Sequence, residues 1–218
     1  RMFPGTDSSQ TIIDCLLSEI QKKGISLNLN ASVKEINFEN TKFNVLTESG
    51  MQYIFDKIII ATGGFPQLKT YQWLSFSGHT IIPPVPSLFT FNIPKNPFDG
   101  LMGVSVPLVR IRIEGFNEIS EGPMLFTHWG LSGPAVLKMS SLAARYLSEK
   151  QYEFRVGINF IPAMNEEQIR QLLLSNKVIL KEKKIINSVI AALPSRLWER
   201  LVELSGISKE LKWGEVSN

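Results

Sequence analysis

The chain has 218 residues and a single cysteine, so no disulfide can form within it. Cys15 falls among Ile12, Leu16 and Ile20 at helical spacing and is expected to be a small buried apolar residue. Metal-ligating residues are equally scarce. His79 and His128 are isolated, and with one cysteine they do not make the roughly three or four clustered ligands of a zinc site, so no metal is expected. No apolar run reaches the roughly 18 residues of a membrane span, and neither a signal peptide nor a lipidation motif is present. A cytoplasmic protein with no membrane partner is the expectation. A serine hydrolase is excluded because there is no G-x-S-x-G, and Leu131-Ser132-Gly133 lacks the first glycine. There is no internal repeat and no low-complexity segment. The initiator methionine is missing too: a chain starting at Arg1 is expected to be a fragment of a longer protein or a trimmed form of it.

What is present is ordinary globular composition, 44% hydrophobic and 20% charged. A chain of this size buries roughly 70% of its unfolded surface, which requires a substantial core. The net charge of +3 owes much to Lys177, Lys181, Lys183 and Lys184, set against Glu182. No aromatic residue interleaves with that run, so it reads as a solvated helix face and no nucleic-acid partner is expected.

Residues 7–24 carry Ile12, Ile13, Leu16, Leu17 and Ile20 at spacings of three and four, with Ser8 or Ser9 as cap and Gly24 as stop, which predicts an amphipathic helix. Short β-prone stretches follow at 25–29, 33–38, 42–47, 51–55 and 57–61. Turns at Glu39-Asn40 and Ser49-Gly50 make residues 33–55 a three-stranded meander. The run Ile58-Ile59-Ile60-Ala61 does not alternate, which suits a strand covered on both faces. Five prolines between Pro83 and Pro97 mark a domain boundary. Strands are expected at 88–92, 104–113, 124–127 and 152–160, and helices at 135–147, 183–193 and 195–204. A further helix follows a capping box at Asn165 to Gln168. Trp73, Trp129, Trp198 and Trp213 are expected to anchor packing.

The most informative short feature is the end of the apolar strand, Ala61-Thr62-Gly63-Gly64. Glycines directly after a buried strand permit a sharp turn and let a ligand lie against bare backbone, at the strand end where open sheets bind ligands. A plain tight turn is the alternative reading of those four residues alone.

Further segments follow in a fixed order: Arg1-Met2-Phe3-Pro4, the Ala61 to Gly64 turn, Gly78-His79-Thr80-Ile81, Pro86-Ser87-Leu88, and Phe126-Thr127-His128-Trp129-Gly130-Leu131-Ser132-Gly133-Pro134-Ala135. In this order the chain resembles the YhiN/BaiN-like flavoproteins, from Arg1 to about Gly206. The resemblance implies an α+β or α/β chain. Residues 1–80 would be a partial FAD-binding domain of the glutathione-reductase type, a helix plus β-meander. Residues 81–162 would be a β-barrel-like insert domain, and 163–218 its helical part. It implies FAD in the intact parent and NAD(P)H as a possible partner cofactor, with hydride passing between a small organic substrate and NAD(P)H or another acceptor. Cofactor contacts would fall on Val33, Ala61, Thr62, Gly63 and Gly64, with Arg1 and Phe3 approaching the flavin side.

The sequence departs from the family pattern in three places. The glycine-rich fingerprint that seats the pyrophosphate, and the acidic residue that holds the ribose, occur nowhere in it. The family would place them before Arg1, and a glycine-rich closing segment after Asn218. The 65–77 stretch is short and lacks a Gly-Asp-Gly turn, so no cofactor contact is assigned there.

His128 is the candidate catalytic residue, since an imidazole beside the free amides of a helix starting at Pro134 can hold an anionic or carbonyl group. A structural turn, with His128 and Ser132 satisfying backbone groups, is the competing reading. His79 is expected to cap a helix end. Two functions follow: an FAD-dependent oxidoreductase of which this fragment is itself inactive, or a noncatalytic domain pair that covers substrate or binds a partner. Substrate and oligomeric state are not legible.

Overall fold

A computed structural model describes residues 3–216, so Arg1, one of the expected cofactor contacts, lies outside the described residues. The chain divides into two compact units, Arg1–Pro84 and Val85–Asn218.

The first unit opens with α1 (Ser9–Lys22), started where the Ser8 hydroxyl accepts the Gln10 amide at 3.3 Å. It stops at Lys23 and Gly24, whose amides return to carbonyls of the last turn. None of its residues is buried, and Cys15, expected inside, is exposed. Periodicity decides which face of a helix is apolar; whether that face is covered depends on a neighbour, and no described residue buries it. The meander is present as expected: β1 (Val33–Glu39), β2 (Lys42–Thr47) and β3 (Gln52–Phe55) form an antiparallel sheet in that order. Asn40 and Thr41, both left-handed, make the tight first turn. Ile36 pairs with Val45, and these two are buried.

The stretches 25–29 and 57–61 are not strands, contrary to expectation. Ile59 is 94% exposed. A strand covered on both faces needs neighbours along its edges, and no described strand runs beside this one. Residues Leu68–Ser77 form a 3-10 helix.

The second unit holds the main hydrophobic core. Its sheet has five antiparallel strands, β4 (Phe91–Asn92), β5 (Ser105–Ile113), β6 (Ile119–Phe126), β7 (Gly130–Ser132) and β8 (Val156–Asn159), in the order β4-β7-β6-β5-β8, curled as a half-barrel. β5 shows how sequence shapes it. Pro107 cannot donate to a ladder, and the register shifts between Val106 and Val109. The shift resets the alternation, so that Val106, Val109, Ile111 and Ile113 all face inward. The helix expected at 135–147 is divided at Ala143 into α2 (Pro134–Leu142) and α3 (Ala144–Glu149).

The helical part contains α4 (Glu166–Ile179), started by the expected capping box between Asn165 and Gln168, and α5 (Ser195–Leu204). The helix expected at 183–193 is reduced to one 3-10 turn, Ile185–Asn187. Its backbone groups are taken by distant partners. Ile185 donates to the Leu211 carbonyl, the Lys183 carbonyl accepts from Trp213, and the Ile185 carbonyl accepts from the Trp198 indole at 2.8 Å. Trp198 and Trp213 are buried packing anchors. Trp129, expected to be one as well, is 75% exposed because it sits at the tip of a turn.

Candidate functional site

A cleft of about 530 Å³ in the first unit gathers residues from four parts of the sequence. The start of β1 supplies Ser32 and Val33, the meander face supplies Ile36 and Val45, the extended segment supplies Ile58 to Thr62, and Phe65 and Trp73 close one side. Three expected cofactor contacts, Val33, Ala61 and Thr62, therefore share one cleft. Gly63 and Gly64 continue from Thr62 but are not in its lining. Gly63 has φ 74°, and a side-chain carbon added to either glycine would meet nothing within 4 Å. The bend is bare backbone in open space.

Two anchors set this geometry. The amide of Glu48, just past β2, donates to the Ser32 carbonyl at 2.9 Å, fixing the approach to Val33. Tyr71 holds the segment after the glycines: its hydroxyl accepts the Phe65 amide at 2.7 Å and donates to the Phe65 carbonyl at 3.0 Å. Sequence reasoning missed Tyr71, since nothing in a tyrosine six residues along marks it as a clamp. Among the described residues no charged side chain lines the cleft. It offers apolar walls and serine and threonine hydroxyls, which suit a flat ring system but supply no acid or base.

His128 lies in the second unit, in the turn between β6 and β7. Its imidazole is exposed and makes no hydrogen bond. Thr127, rather than His128 or Ser132, satisfies the turn: its amide donates to the Gly130 carbonyl at 2.8 Å, and its hydroxyl accepts from the Gly130 amide at 3.2 Å. The amides at the start of α2 are not free for a ligand, because Ala135 and Val136 are fully buried. His79 does not cap through its ring; its backbone amide donates to Ser77. Among the described residues no group of His, Cys, Asp and Glu is placed to hold a metal ion, and no helix is long and apolar enough to cross a membrane.

A curled antiparallel sheet carrying a two-helix part, preceded by a separate helix-and-meander unit with an apolar cleft, defines a mixed α/β chain. Residues 85–218 match the HI0933-like protein barrel and H2TH domain, and the chain belongs to that family, the YhiN/BaiN family of the sequence resemblance. Three named relatives extend the likeness across both units. The ribosomal RNA dihydrouridine synthase of Escherichia coli is 33% identical over 92% of this chain and 49% of its own length. The protein of the same name from Haemophilus influenzae is 30% identical over 94% of this chain and 51% of its own. The 3-dehydro-bile acid delta(4,6)-reductase of Clostridium scindens is 25% identical over 99% of this chain and 54% of its own. The chain thus spans about half the length of these relatives.

Proposed function

We propose that the chain is part of an FAD-dependent reductase that saturates a carbon–carbon double bond conjugated to a carbonyl group. One observation carries the reading: the names of relatives for such different molecules as a bile acid and ribosomal RNA both describe the reduction of such a double bond. In such a reduction hydride would add to the carbon β to the carbonyl, or further along its conjugation, and a proton would go to the carbon left electron-rich. NAD(P)H would be the reductant, oxidised to NAD(P)+. Uridine in ribosomal RNA is the favoured substrate, because the relatives named for it have the higher identities. On this proposal the whole protein would meet RNA, which differs from the expectation drawn from its charge pattern.

The flavin would supply the hydride transfer, while the protein binds, orients and excludes water. Val33, Ala61, Thr62 and the bare backbone of Gly63 and Gly64 would lie against the cofactor, and the apolar cleft without charges suits its ring or adenine. The exposed apolar surface of α1, together with Ile59 and Ile60, supports completion of this unit by the remainder of a flavin-binding domain. His128, exposed and unpartnered, is the candidate to hold or protonate the substrate.

The test uses the longer protein. It should purify with an absorbance band at about 450 nm that NAD(P)H bleaches and that RNA containing uridine restores, with dihydrouridine as product. A protein purified without flavin would remove the basis of the proposal. A flavoprotein reoxidised by an unsaturated 3-oxo steroid but not by RNA would keep the reaction and overturn the substrate.

A further inference from the structure

The two edges of the half-barrel come together at an aromatic slot. β4 lies at one edge of the sheet and β8 at the other. The segment leading into β8 reaches the β4 side through ring contacts: Phe154 meets Phe91 edge-on at 5.0 Å, and Tyr152 meets Phe89 edge-on at 5.7 Å. Between them is a cavity of about 280 Å³, whose lining includes these four rings with Thr90 and Asn92. Its size is at the small end for ligand sites and suits a single ring.

Three properties distinguish it from a packing gap. The side chains of Thr90 and Asn92 and the Tyr152 hydroxyl make no hydrogen bond within the protein and belong to exposed residues, so a ligand entering from solvent can meet them. The backbone flanking the slot is held in left-handed conformations at Leu88, Gln151 and Tyr152, none of them glycine. At Gln151 and Tyr152 they close the end of α3, where the two amides return to the Ser148 and Leu147 carbonyls and set the direction of the chain along the slot. The wall is also tethered: the Phe89 amide donates at 3.0 Å to the hydroxyl of Ser140, which is fully buried and donates onward to the Leu137 carbonyl.

We infer that this slot binds a single planar heterocycle with ring N–H and C=O groups, a pyrimidine base, stacked on the aromatic walls and read by Asn92, Thr90 and Tyr152. The inference rests on the proposed function only in choosing uridine as the base. Aromatic faces bind bases through stacking, and an amide side chain matches the alternating donors and acceptors of a pyrimidine edge.

The test is NMR titration of the 218-residue chain with uridine 5′-monophosphate, with ribose 5-phosphate as the control lacking a base. Saturable shifts of the Tyr152 and Phe154 ring signals are expected with the nucleotide and none with the sugar phosphate. Asn92→Ala and Tyr152→Ala should each weaken binding about fivefold or more, with Tyr152→Phe weakening it less. Asn92 is exposed, so its variant reports binding even if Tyr152→Ala disturbs the fold. Equal binding of sugar phosphate and nucleotide, or full affinity in both alanine variants, overturns the slot. A short oligouridine that binds more tightly than the mononucleotide identifies an RNA base as the ligand; equal affinities identify a free nucleotide. A longer protein that binds uridine monophosphate through Asn92 yet leaves uridine unreduced defeats the proposed activity and leaves the slot intact.

Discussion

The carbonyl oxygen of Phe91 occupies the space that a side chain at Gly130 would need, and Gly130 adopts φ 149°, a conformation other residues rarely take. Here β4 and β7 approach too closely for anything but hydrogen. Gly130→Ala is expected to cost about 2 kcal/mol or more. Thermal unfolding followed by circular dichroism measures it, and an unchanged midpoint would show that the strands can separate without penalty.

Gly64 presents the opposite case. It has no positive φ, and an added side-chain carbon would touch nothing. Gly64→Ala should leave stability within about 0.5 kcal/mol of wild type. In the longer protein it should lower the flavin-to-protein ratio, because the methyl group would stand between backbone and cofactor. Normal flavin content in that variant would remove Gly64 from the cofactor site. Gly63→Ala is a useful companion, since φ 74° alone should cost about 1 kcal/mol.

The 218-residue chain alone is expected to be colourless or to bind FAD very weakly. Its sequence contains no glycine-rich fingerprint, and the backbone amides of that loop supply much of the hold on a dinucleotide phosphate. Absorbance at about 450 nm after incubation with FAD and gel filtration decides it. Stoichiometric retention would be the contrary result.

Glu203 joins α5 to the segment beyond it, accepting from Lys209 at 2.6 Å and from Arg200 at 2.9 Å. Lys209 first, and then Arg200, hold its carboxyl below the ordinary glutamate range. A lowered folded-state value means that the stabilisation is complete above the ordinary carboxylate range and fades as pH falls through the lowered one. Lys209 shows the mirror image. Glu203 raises it, and its contribution fades only as pH climbs through the raised value. Glu203→Gln should therefore flatten the acid limb of a stability-versus-pH curve by a small amount, as befits a solvent-screened group. Identical acid limbs would show the ion pairs to be without effect.

Local chemistry in this chain announced itself reliably. Ser8 and Asn165 start helices where capping residues should, the turn at Asn40 closes a hairpin, and Pro194 precedes α5. The glycine bend after Ala61 and the segment from Thr127 to Pro134 stood out as unusual, although the latter's glycines serve strand packing as well as any ligand. The slot beside Phe89 was illegible, because Asn92 and Tyr152 are sixty residues apart and acquire meaning only when the sheet curls.

Spacing, caps and breakers in the sequence therefore determined where α1, α4, α5 and the meander hairpins form and which of their faces are apolar, because these depend on neighbours within a few residues. Only the tertiary structure decided which apolar faces are covered. Val109 and Ile111 are sealed in a core, whereas Leu16 and Ile59 stand in solvent, since burial depends on what packs from elsewhere in the chain. The same long-range pairing drew residues 183–193 out of a helix, because carbonyls bonded to Trp198 and Trp213 are not free to serve a helical ladder.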